Sequence, residues 1–80
     1  MTKQETIIKA KEAYHNALFF AEDASQFKSF IRYYGEAQAW IEYLLEEHDT
    51  FMNVPELQFL QDLENKCSRI YLNLEVNLIP

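Results

Sequence analysis

Glu12 and His15 are the pair whose types and spacing come closest to metal chemistry. A carboxylate and an imidazole three residues apart on a helix form the half-site of di-iron bundles, which need two such pairs and two further glutamates. This chain carries one copy, and helical bookkeeping puts it on the wetter side of the first helix, so it reads as an exposed polar pair with no metal expected. His48, between Glu47 and Asp49, falls at a helix C-terminus, where the dipole favours imidazolium and no nucleophile is close in sequence. Cys67 lies on an apolar stripe, where a thiol behaves as a small hydrophobe and its thiolate is disfavoured. The chain has one glycine, which rules out phosphate-cradling loops, calcium loops and nucleophile elbows. No catalytic residue and no cofactor is assigned, and the chain reads as non-enzymatic.

Two surface patterns stand out instead. From Arg32 to Lys66 no Lys or Arg intervenes, while Glu36, Glu42, Glu46, Glu47, Asp49, Glu56, Asp62 and Glu64 all fall inside. With a net charge of −6, this argues against direct nucleic-acid binding and against an anionic membrane surface, both of which need clustered cations. It reads either as a solubilising surface or as an electrostatic face for a basic protein partner, which could go as far as imitating DNA phosphates. The second pattern is a stripe of Tyr33, Glu36, Trp40, Tyr43 and Glu47 at helical steps, on a side of the same helix that points away from its Ile41 and Leu45 core face. Such a stripe is either buried by neighbouring helices or forms an aromatic contact surface with a carboxylate rim. Ile8, His15 and Phe19 repeat the theme more weakly on the first helix, so either the monomer packs unusually well or this surface is covered by self-association, most simply a homodimer, or by a partner.

The elements that position these residues follow from periodicity. Eighty residues with 49% hydrophobic content make a single folded domain, burying roughly 60–65% of the surface of the unfolded chain. Scarce Gly and Pro with abundant Ala, Leu, Glu and Gln mean helix. Thr2 with Glu5 is a capping box that starts helix 1, whose alanines at 10, 13, 17, 21 and 24 form a close-packing seam beside Tyr14 and Leu18. Asp23, with Gln26 at its third position, is the expected cap of helix 2. Helix 2 carries Phe27, Phe30, Ile31, Tyr34, Ala37, Ile41, Leu44 and Leu45 inward, and Gly35 inside it marks a kink, a close contact or a break. Asn53-Val54-Pro55-Glu56 starts helix 3, with Asn53 as cap. Helix 3 presents Leu57, Leu60, Leu63, Cys67, Ile70, Tyr71 and Leu74 as one stripe. The end, Leu72 to Leu78, alternates with strand period yet also fits a fraying helix.

The expected architecture is an all-α antiparallel three-helix bundle, with helices at about residues 2–22, 25–48 and 54–74 and a tail over 75–80. The alternative is a long hairpin in which helices 1 and 2 are continuous. No apolar leader segment or membrane span is present in this stretch, and one cysteine cannot form an internal disulfide, which suits the cytoplasm. The expected function is binding, and thereby regulating, inhibiting or chaperoning, another protein through Tyr33, Glu36, Trp40, Tyr43 and Glu47, with Glu42, Glu46 and Asp49 as the acidic surround. Size and charge alone suit an adaptor, a secretion-type chaperone, an immunity protein or a phage or mobile-element inhibitor. The alternative is an acidic DNA mimic that blocks a nucleic-acid enzyme.

Overall fold

The computed structural model describes residues 2–49 and 54–78. It is an all-α bundle of α1 (Lys3–Phe20), α2 (Phe27–Glu47) and α3 (Gln58–Leu78). Single 3-10 turns, Ala24–Gln26 and Pro55–Leu57, lead into α2 and α3. The molecule is elongated, 42 × 21 × 17 Å.

Local chemistry sets the ends of the helices. The Thr2 hydroxyl accepts from the Glu5 N–H at 3.1 Å, and the Glu5 carboxylate accepts from the Thr2 N–H at 3.4 Å, completing the capping box. These bonds hold the Glu5 carboxyl below its ordinary range. At the first turn the Asp23 carboxylate accepts from both the backbone N–H (2.9 Å) and the hydroxyl (2.8 Å) of Ser25. Such local bonds offer the backbone an alternative to the helical ladder, so α1 stops and the continuous α1–α2 hairpin does not form. Asp23 thus opens the single turn Ala24–Gln26 and is not the cap of α2, whose N-cap is Gln26 without a side-chain cap bond.

Gly35 marks neither a break nor a close contact. The helix continues through it, and a Cβ built there meets nothing within 4 Å. Gly35→Ala is therefore expected to raise stability by about 0.5–1 kcal/mol, by reducing the freedom of the unfolded chain. The measurement is a higher denaturant midpoint at unchanged slope. After His48 caps α2, Asp49 takes φ 47°, the left-handed position that commonly closes a helix and that Asp tolerates.

Val54 is extended (φ −75°, ψ 146°) ahead of Pro55, which occupies the first position of the following turn. The expected cap, Asn53, lies outside the described residues. At the other end α3 passes Leu74 and reaches Leu78, so the expected tail is helical as far as that residue. The strand reading of Leu72 to Leu78 fails for a physical reason. A strand needs a ladder partner, and among the described residues there is no other strand, whereas a helix satisfies its own backbone.

The core is where the three stripes meet. Ala10, Ala13 and Ala17 of α1 and Ala37 of α2 are buried, and these small side chains let α1 and α2 approach closely. Larger groups fill the remaining space: Tyr14, Phe30, Leu44, Leu57, Leu60 and Cys67 are fully enclosed. Rings of Phe27, Phe30, Tyr34 and Tyr71 pack between α2 and α3 with centroids 5.7 to 6.4 Å apart. An ion pair of Lys3 with Glu56 and a bond from Tyr14 to Glu64 set α1 parallel to α3. Tyr34 with Glu64 and Phe27 with Tyr71 set α2 antiparallel to it. Thr6, a buried polar side chain, donates to the Thr2 carbonyl at 2.9 Å and so is satisfied.

Candidate functional site

The outward side of α2 carries the expected site. Glu36, Glu42, Glu46, Glu47 and Asp49 are all exposed, with Gly35 and Ala39, also exposed, two turns and one turn before Glu42. Among the described residues the single ion pair is Lys3 with Glu56, so none of these five carboxylates has a cation within bridging distance. The charges also run against the helix dipole. Lys28 and Arg32 lie toward the positive N-terminal end of α2, whose first turn holds no acidic residue, and its last turn holds no basic one.

The aromatic members of the stripe divide by their angle around α2. Tyr33 and Trp40 do not point away from the core face as expected: they flank it and pack partly against it. Tyr33 stacks on Phe20 of α1, with ring centroids 5.4 Å apart and planes nearly parallel. Trp40 meets Tyr43 edge-on at 6.2 Å, and Tyr43 meets the His48 ring edge-on at 5.8 Å. Tyr33, Trp40 and Tyr43 are all half-buried, as is His48, so the stripe is neither wholly core nor wholly free. Trp40, Tyr43 and His48 form one continuous aromatic edge, with Glu47 exposed in the same turns. His48 Nε2 is enclosed without a hydrogen-bond partner among the described residues.

The chain matches no protein-family model, and no curated protein and no solved structure is significantly similar to it.

Functional weight therefore rests on geometry, and one constellation escaped the sequence reading. Glu64 of α3, counted there with the acidic surface, accepts from the Tyr14 hydroxyl at 2.7 Å through Oε2 and from the Tyr34 hydroxyl at 2.8 Å through Oε1. One carboxylate thus ties all three helices. Burial, then the hydrogen bond and charge of Glu64, push the Tyr14 phenol far above its ordinary value and Tyr34 up to about 12. Cys67, one turn further along α3, is enclosed, and burial followed by the Glu64 charge pushes its thiol up to about 11. That agrees with its reading as core. A shallow recess of Tyr14, Gln38, Ile41, Gln61 and Glu64 opens beside the clamp. Because the carboxylate accepts through both oxygens, it is committed to the bundle. The signal was present in the spacing: Leu57, Leu60, Glu64, Cys67, Tyr71 and Leu74 follow at alternating steps of three and four, a seam in which Glu64 is the one charged member.

Glu12 and His15 are exposed on the outer side of α1. Among the described residues no three His, Cys, Asp or Glu side chains converge as a metal would require. No helix is long and apolar enough to cross a membrane, among those described.

Proposed function

We propose that the protein is a non-enzymatic interaction module that holds a basic surface of another protein against the outward side of α2. The observation that carries this reading is charge placed where it lowers stability. Glu42 and Glu46 are like charges one turn apart, and Glu46 and Glu47 sit at the negative end of the helix dipole. Each such placement costs about 0.2–1 kcal/mol in an exposed helix. A surface serving solubility alone would gain by moving the same carboxylates to the first turn, where α2 has none. Surfaces that give up stability in this way are characteristic of binding sites. The half-buried edge of Trp40 and Tyr43 supplies apolar contact beside the carboxylates, the composition of an interface core with a polar rim. A buried, poorly acidic thiol suits a cytoplasmic setting.

The reading makes a paired prediction. Replacing Glu46 and Glu47 together by lysine is expected to raise stability by about 0.5–2 kcal/mol, because both charges then complement the dipole, and to abolish capture of the partner retained by the wild-type chain. Thermal melts and pull-downs with both baits check the two arms. A double variant that keeps the partner overturns the reading. One refinement has its own support in the five uncompensated carboxylates, namely that the partner's basic surface is a nucleic-acid groove. In that case duplex DNA competes for the captured partner and moderate salt releases it. Trp40→Ala would instead dominate, with little salt dependence, if the aromatic edge carries the affinity.

A further inference from the structure

We propose that α1 carries a second interaction surface, occupied by another copy of this chain lying antiparallel across it. The side of α1 opposite the alanine seam presents Ile8, Glu12, His15 and Phe19 at steps of four, three and four, the spacing of a helix–helix seam. All four are exposed. Ile8 is 50% and Phe19 71% accessible, high for large apolar side chains. Phe19 is braced edge-on by Phe20 at 5.2 Å, and Phe20 is stacked on Tyr33, so part of the ordering cost of docking is already met. A shallow groove passes along Ile8, Lys11, Glu12, His15 and Asn16.

The order of these residues identifies the occupant. Turn a second α1 about a two-fold axis between Ala13 and Tyr14, and its Phe19 lies over Ile8 while its His15 lies over Glu12. Each of these layers then occurs twice, as an isologous interface requires. Apolar meets apolar at both ends, and carboxylate meets imidazole in both central layers. Parallel pairing would instead place Glu12 on Glu12 and His15 on His15, leaving like groups opposed. Polar residues at seam positions specify register and orientation in this way, at some cost in stability. With two apolar layers the contact falls short of the roughly 1,200–2,000 Å² of stable complexes, so the dimer is reversible and concentration-dependent. It leaves the acidic side of α2 uncovered and stands independently of the function proposed there.

The test is sedimentation of the wild-type chain over about a hundredfold range of concentration reaching the millimolar. Its mass is expected to climb towards twice the monomer, whereas Phe19→Asp stays monomeric with an unchanged melting curve at low concentration. Orientation is read by cross-linking: a mixture of Glu12→Cys and His15→Cys chains forms mixed disulfide pairs faster than either variant does alone, the native Cys67 being enclosed. A wild-type chain that stays monomeric throughout, a Phe19→Asp chain that still pairs, or either cysteine variant linking faster alone than mixed, overturns the proposal.

Discussion

Glu64→Ala is expected to destabilise the bundle by about 2–4 kcal/mol, because it removes two hydrogen bonds to a charged acceptor and leaves two phenol protons without their acceptor. The effect is large because of where the donors sit: Tyr14 is 1% and Tyr34 8% exposed, so water cannot readily replace the lost carboxylate. Glu64→Gln retains an acceptor oxygen and is expected to cost about half as much. Tyr14→Phe and Tyr34→Phe, made singly, leave Glu64 one donor each, while the double change strands the charge. A thermodynamic cycle over the three sites should therefore be strongly non-additive. Denaturant unfolding of the set measures this directly. Additive losses of a few tenths of a kcal/mol would mean that the clamp is dispensable.

The same buried groups make alkaline pH the weak side of the fold. The unfolded chain releases the Cys67 proton near pH 9 and the tyrosine protons near pH 10, their ordinary values, whereas the folded chain holds the first to about 11 and Tyr34 to about 12, with Tyr14 higher still. Above pH 9 the unfolded state thus binds fewer protons than the native state, and stability falls as pH rises. The contribution of these groups is complete below pH 9 and is lost progressively through the window up to about 11 for Cys67 and about 12 for Tyr34. Each group adds a slope of about 1.4 kcal/mol per pH unit while only its unfolded form has ionised. Unfolding midpoints measured from pH 8 to 12 are therefore expected to bend downward near 9 and steepen beyond 10. Cys67→Ala should delay the onset to near pH 10, the ordinary tyrosine value, and Tyr14→Phe should flatten the later decline. A flat profile to pH 11 would show that these groups ionise in place without penalty.

Helix placement was legible from one-dimensional signals because those signals are local. A capping box spans four residues, Pro marks a first turn through its missing N–H, and a three-four apolar rhythm fixes a face whatever lies against it. The seams of α1, α2 and α3 read from that rhythm are the ones that pack, from Ala10 and Tyr14 through Phe30 and Ala37 to Leu60 and Cys67. The acidic run on α2 was equally open to reading, since nothing between Arg32 and Lys66 supplies a cation.

Tertiary structure decided what depends on residues far apart in the chain. Periodicity puts Glu64 on a seam, but only the convergence of α1 and α2 supplies its two donors, 50 and 30 residues away. A carboxylate that looked like surface charge became the tie between three helices. Trp40 and Tyr33 lie at the margin of the α2 core face, where burial depends on how closely α1 approaches, and the alanine seam brings it near enough for Phe20 to cover Tyr33. Gly35 turned out to face open space, a property of the neighbours it lacks. The sequence by itself determined three amphipathic helices and an acidic flank, because backbone propensity and face patterning act within a few residues. Which polar groups were buried in pairs, and which aromatic rings stayed half open, was decided only when three independent faces were brought into contact, because desolvation depends on every neighbour at once.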